Sequence, residues 1–233
     1  MAIAVLASGG GSNLQALIDR FNATSRAAAR VELVISDRAD AGALERARRA
    51  GIPARVVATK GRASGEVARE MLDALGEHGI QLVALAGYLK LVPAEVVRAF
   101  RERIVNIHPA LLPAFGGAGY YGMRVHEAVI ESGATVSGPT VHLVNEEYDR
   151  GRILAQWPVP VFAGDTADAL AARVLAVEHV LYPAVIEAIA GDGLASRARP
   201  RIDASTGGLP PRQGFTPSMR LPTIDDVRAA LSF

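Results

Sequence analysis

The chain contains no cysteine, only two lysines (Lys60 and Lys90) and few aromatic residues, and its charges nearly cancel. Each shortage excludes something. Without cysteine there is neither a disulfide framework nor a thiolate metal centre. No His-x-x-x-His or His-Glu-x-x-His spacing offers a histidine alternative, so no metal site is expected. Basic and acidic side chains number 25 and 24. That balance gives no electrostatic basis for nucleic acid or a membrane as the main partner. No window is expected to reach the ~20 apolar residues of a transmembrane span. Met1-Ala2-Ile3-Ala4-Val5 leads straight into a strand-like run, with no basic region or long apolar segment of an export signal. The expectation is a soluble cytoplasmic protein, with a homodimer left open.

What is present is enough apolar material for a large core, since half of the 233 residues are hydrophobic. Short apolar runs alternate with helical patterns. Strands are expected at Ile3–Leu6, Val31–Ile35, Ala54–Val57, Leu82–Leu85 and Ile104–Ile107. Helices are expected at Asn13–Asp19, Ala43–Ala50 and Glu66–Glu77, with a short one opened by Pro93. This rhythm predicts parallel βαβ units with right-handed crossovers, an α/β fold with a Rossmann-like N-terminal half. After Pro109 the rhythm changes. Pro113–Gly122 reads as loop and His126–Glu131 as a short helix. Thr140–Val144 and Ile153–Val161 read as two strands able to pair antiparallel. Thr166–Ile189 reads as a long helix, kinked or broken at Pro183. From 191 to 233 the composition shifts to Gly, Pro, Arg and Ser and reads as irregular tail, with a short helix at Asp225–Leu231. The expected organisation is one domain over 1–190, divided into a phosphate-binding half (1–109) and a second half (110–190), followed by that tail.

Three segments carry chemistry. The first is Ala7-Ser8-Gly9-Gly10-Gly11-Ser12-Asn13, a glycine loop between a strand and a helix. Glycines let backbone N–H groups approach an anion, and a helix N-terminus adds a favourable dipole. Ser12 and Asn13 can add side-chain hydrogen bonds. The loop lacks the lysine of a triphosphate-binding loop and the third glycine of a dinucleotide fingerprint. The alternative to an anion site is a tight turn without ligand. The second is Asn106-Ile107-His108-Pro109 at the C-terminal end of an expected parallel strand, the edge at which open α/β sheets bind ligands. Alternation puts Asn106 and His108 on one face. An amide beside an imidazole can hold a developing oxyanion and move a proton. A buried histidine satisfied by backbone is the plainer reading of this pair. The third is Asp149 in the polar turn Glu146–Gly151. It is either an ordinary solvated turn residue or a carboxylate beside His108 that would raise the imidazole pKa. Of the other histidines, His142 stands near the site and His179 is expected to pack structurally.

Taken together, these segments resemble the phosphoribosylglycinamide formyltransferase family. Ala86-Gly87-Tyr88-Leu89-Lys90-Leu91-Val92, Gly138 through Gly151 and Glu178-His179-Val180-Leu181-Tyr182-Pro183 match in kind as well. The resemblance spans roughly residues 1 to 190. It implies a formyltransferase fold: a mostly parallel open sheet with an antiparallel C-terminal addition. It implies formyl transfer from 10-formyltetrahydrofolate to the amine of glycinamide ribonucleotide, in purine biosynthesis. Asn106, His108 and Asp149 would be catalytic, with His108 protonated. Gly11, Ser12, Asn13 and Glu178 would hold the ribonucleotide. Leu89, Lys90, Leu91, Val92 and Asn106 would contact the folate, and the backbone of 143–149 would face its pteridine ring.

The sequence departs from the common family pattern in two places. The segment after Pro113, Ala114 through Met123, is longer and richer in glycine. The basic residue expected near 64 for the folate is replaced by Ser64, with Arg62 or Lys60 as substitutes. Methionyl-tRNA formyltransferase and formyltetrahydrofolate deformylase are rival enzymes of the same fold. A phosphosugar-binding module without catalysis is a rival of another class. It predicts that the glycine loop matters and Asp149 does not.

Overall fold

The computed structural model describes residues 1–23 and 27–192. The expected helix at Asp225–Leu231 and the tail beyond 192 lie outside the described residues. The elements run β1 (Ala2–Leu6), α1 (Ser12–Phe21), β2 (Arg30–Ser36), α2 (Gly42–Arg49), β3 (Ala54–Val56), α3 (Ser64–Glu77), β4 (Leu82–Leu85), α4 (Ala94–Ala99) and β5 (Ile104–His108). They continue with α5 (Met123–Glu131), β6 (Val136–Ser137), β7 (Thr140–Leu143), β8 (Ile153–Gln156), β9 (Val159–Pro160) and α6 (Ala167–Asp192).

Seven strands form one sheet in the order β3-β2-β1-β4-β5-β7-β8, and β6 pairs with β9 in a small second sheet. The first five are parallel; β7 and β8 are antiparallel to their neighbours. The expected α/β fold with an antiparallel addition is what the chain adopts. Alternate residues of β1 enter opposite cores. Ile3 and Val5 join the cluster under α1, α2 and α6; Ala4 and Leu6 join the one under α3 and α4. A strand buried on both faces reads as an unbroken apolar run, which is why β1 and β4 show no alternation in sequence. Chain order reverses beside β1, where β2 lies on one side and β4 on the other, so a crevice opens at the C-terminal ends of β1 and β4.

Three expectations need correction. The expected strand Ile153–Val161 is two strands. Trp157 N–H bonds to Pro139 O, and Pro158 has no N–H to continue a ladder. The chain then leaves β7, and Val159 pairs with Ser137 instead. The two-residue β6 carries no periodic signal and was not foreseen. Second, the helix does not break at Pro183: α6 continues through it. Tertiary packing offsets the lost hydrogen bond: Leu181, Val185 and Ile186 lie in the core, and the single Tyr182 hydroxyl hydrogen is shared between Leu85 O (3.0 Å) and Val105 O (3.1 Å). Third, α6 is long and apolar enough to cross a membrane, contrary to expectation. Just over half of that stretch is instead buried in protein. Leu170, Val174 and Val177 meet Val129 and Val159, and the C-terminal turns pack on α1. Each such side chain contributes about 1.5–3 kcal/mol by burial.

Candidate active site

The crevice is bounded by two loops that bind each other. Ser8 N–H donates to Gly87 O (3.0 Å), and Leu89 N–H donates to Ser8 Oγ (3.0 Å). Ser8 therefore couples the glycine loop after β1 to the loop after β4, a role that residue type alone did not reveal. Past β4 the crevice widens into a cleft of about 240 Å³. Its walls are the Gly87–Val92 loop, the end of β5, the glycine-rich segment 117–122 and the turn 144–149. Leu89 and Leu91 are exposed, at 46% each, an apolar surface available to a ligand; Val92 is buried among α3 and α4. Lys90 is the one lysine or arginine among the described residues lining the cleft. Arg62 does not line it: it binds Glu70 (2.6 Å) midway along α3.

Asn106 and His108 share a face of β5, as alternation requires, and the strand's pairing adds a third group. β7 runs antiparallel with Asn106 opposite His142 and His108 opposite Thr140. His142 Nδ1–H donates to Leu143 O (2.7 Å), leaving Nε2 to accept from Asn106 Nδ2 (3.0 Å). Thr140 is a brace: its Oγ1 accepts from Leu112 N–H (3.0 Å) and donates to Ala110 O (2.6 Å), fixing the chain that leaves β5.

Asp149 returns to these residues from the turn between β7 and β8. The turn is tight because Gly151 lies against Leu143 O, where no side chain fits. Asp149 itself has a left-handed backbone, φ 54°. Asp149 Oδ2 stands 3.6 Å from His108 Nδ1, and Oδ1 stands 3.5 Å from His142 Nε2. Oδ2 also accepts from Gly117 N–H (2.8 Å). A side chain at Gly116 would run into Leu112 and crowd Asp149. The glycine-rich segment thus closes over the carboxylate, with His108 Nε2–H donating to Phe115 O (2.8 Å).

His108 is 4% exposed, and burial disfavours its imidazolium, holding its pKa below the ordinary imidazole value. Asp149 and Phe115 O pull upward; His142 adds to the downward pull. The expected upward pull from Asp149 is real but is outweighed by desolvation, which favours the neutral imidazole. Burial pulls Asp149 up, but the Gly117 N–H bond, and the interactions His142 and His108 make with it when protonated, outweigh it and keep the carboxyl below its usual range. His126, on α5, is also buried, with Nδ1 unpartnered among the described residues; burial and nearby His108 depress its pKa.

The glycine loop lies beside this cleft. Gly11 has φ 75° and caps α1, with no side-chain cap bond among the described residues and no acidic residue in its first turn. Those N–H groups are suited to an anion. Asn13 Nδ2 donates to Glu178 Oε2 at 2.6 Å, joining the loop to α6. Glu178 is buried, and desolvation raises its pKa against the pull of that bond. Ser12 opens onto a separate groove with Arg46 and His179. The predicted residues therefore gather in two adjoining places: Asn106, His108, Asp149 and Leu89–Leu91 at the cleft, and Gly11, Ser12, Asn13 and Glu178 at the loop.

Comparison with known proteins places this arrangement. The family described as formyl transferase matches residues 1–186. The chain is 52% identical over 189 residues to the chloroplastic phosphoribosylglycinamide formyltransferase of Arabidopsis thaliana, covering 80% of this chain and 64% of that protein. The chain therefore spans just under two thirds of that relative's length. It is 41% identical over 187 residues to the phosphoribosylglycinamide formyltransferase of Escherichia coli (strain K12), covering 80% of this chain and 85% of that protein. The crystal structure of glycinamide ribonucleotide transformylase 1 from Symbiobacterium toebii superposes with a TM-score of 0.75 at 43% identity, covering 82% of this chain and 87% of that one. With most of its length matched in sequence and in three dimensions, the chain belongs to the formyl transferase family.

Proposed function

We propose that the chain transfers a formyl group from 10-formyltetrahydrofolate to the amine of N1-(5-phospho-D-ribosyl)glycinamide. The products are formylglycinamide ribonucleotide and tetrahydrofolate, in the de novo purine pathway leading to IMP. The observation that carries this reading is the Asn106–His142–Asp149–His108 network at the mouth of a cleft walled in part by the exposed Leu89 and Leu91. Gly11, Ser12 and Asn13 hold the phosphate at the start of α1, and Glu178 meets the ribose or glycinamide end. Leu89, Lys90 and Leu91, with the 144–149 turn, line the folate side. The cytoplasm is the compartment this reading assigns.

The amine nitrogen attacks the formyl carbon, and the carbonyl oxygen becomes an oxyanion. Asn106 keeps a second N–H beyond the one given to His142, and that N–H faces the developing charge. His108, neutral at rest, takes the proton released by the attacking nitrogen. Asp149 stabilises the imidazolium so formed. The proton then passes to N10 as the bond from the formyl carbon to N10 breaks.

The test is product identification by mass spectrometry after incubation with both substrates. One formylated ribonucleotide for each tetrahydrofolate is the expected result. Free formate released without acceptor would make the chain a deformylase and overturn the assignment of substrate.

A further inference from the structure

Three glycines in a row have little intrinsic stiffness, yet an anion-binding loop must hold its N–H groups convergent. Here the loop is held from outside, by α2. Ala43 N–H donates to Gly9 O (3.1 Å), and Ala43 occupies the space beside Gly11, where a Cβ would come within 2.8 Å of its Cα. Arg46, one turn further on, donates from Nε to Gly10 O (2.7 Å) and from Nη1 to Gln15 Oε1 (3.1 Å) on α1. One guanidinium thus spans the loop and the helix it caps. The other two arginines of α2 are drawn elsewhere, since Arg48 and Arg49 both bond to Glu45.

We propose that Arg46 is a positioning residue for the phosphate of the acceptor substrate, acting through the Gly10 carbonyl and Gln15. This rests on the reading that Gly11–Asn13 hold that phosphate. A planar fork with fixed N–H directions makes both bonds together; an ammonium has no such geometry. Turning the Gly10 carbonyl toward Arg46 orients the peptide that carries the Gly11 N–H, and the guanidinium adds positive charge at the same end of α1.

The experiment compares wild type, Arg46→Ala and Arg46→Lys in the full chain. Initial rates are measured with the ribonucleotide and with its dephosphorylated riboside, and binding of ribose 5-phosphate is measured by calorimetry. Losing charge-assisted bonds predicts a KM for the ribonucleotide about 10- to 100-fold higher in Arg46→Ala, with kcat and the KM for the formyl donor near wild type. Arg46→Lys falls between. With the riboside the variants and wild type are equal. An unchanged KM for the ribonucleotide, or an equal loss on riboside and ribonucleotide, overturns the proposal. The calorimetry separates this from the functional reading. Should wild type bind ribose 5-phosphate and not transfer formyl, the activity is misassigned, while weaker binding by Arg46→Ala still supports the role of Arg46.

Discussion

At the scale of single residues, the site is governed by what burial does to charge. His108 sits beside a carboxylate and still resists protonation, because little solvent reaches it. Glu178 shows the same force on an acid: burial pushes its pKa up, and the single bond from Asn13 pulls it only partly back. A carboxyl with a raised native pKa binds its proton more tightly folded than unfolded. Its favourable contribution to stability is complete below the unfolded carboxyl value, 4.5, and is lost as pH rises through the native value. Replacing it with an amide that keeps the acceptor for Asn13 removes that loss. Glu178→Gln is therefore expected to raise Tm relative to wild type at pH 8, with the gain shrinking toward pH 4, while the KM for the ribonucleotide rises. Thermal melts at both pH values, with initial rates, check this; a lower Tm at pH 8 would contradict it.

At the scale of elements, the site depends on close backbone approaches that join the antiparallel strands to the parallel ones. Gly151 lies so near Leu143 O that any Cβ forces the turn open, and Asp149 is two residues away. Gly151→Ala is expected to cost about 1–3 kcal/mol, the usual range for forcing atoms into a filled space, and to lower kcat by displacing Asp149. Urea denaturation and steady-state rates measure both. Elements of this kind also mark where sequence stops being readable. The parallel half was legible because β1, β2, β4 and β5 are apolar runs bounded by helices with clear stops; β4 matches its expected bounds at Leu82 and Leu85. Asn106 and His108 were legible because a strand's alternation is local. His142 could not be placed with Asn106, since their meeting depends on the register of β5 with β7, a pairing of distant segments. The direction of the His108 shift was misread for a similar reason: Asp149 is visible in sequence, whereas the enclosing Phe115–Gly117 segment is a product of the fold. The continuity of α6 through Pro183 was hidden because the packing around Tyr182 outweighs a local preference.

At the scale of the whole molecule, the sheet brings the glycine loop and the cleft to neighbouring places. The reversal of chain order beside β1 opens the crevice, and Ser8 ties its two rims together. The proposed function puts the phosphate end of the acceptor at the start of α1 and the formyl donor in the cleft past β4; amine and formyl carbon would then meet at the end of β5. We propose the division into halves at about residue 109 as a division of binding labour. It does not partition the cleft, since Leu89–Leu91 of the first half and the 144–149 turn of the second both line it. Cores are shared as well: α6 and β1 contribute to the same cluster. The claim on which the rest depends is that His108 moves the proton between the two nitrogen atoms. The measurement that tests it most directly is the rate of formyl transfer by His108→Ala at saturating glycinamide ribonucleotide and 10-formyltetrahydrofolate. The account predicts a kcat lower by about 10²- to 10⁴-fold with both KM values near wild type. Turnover equal to that of the wild type would contradict it.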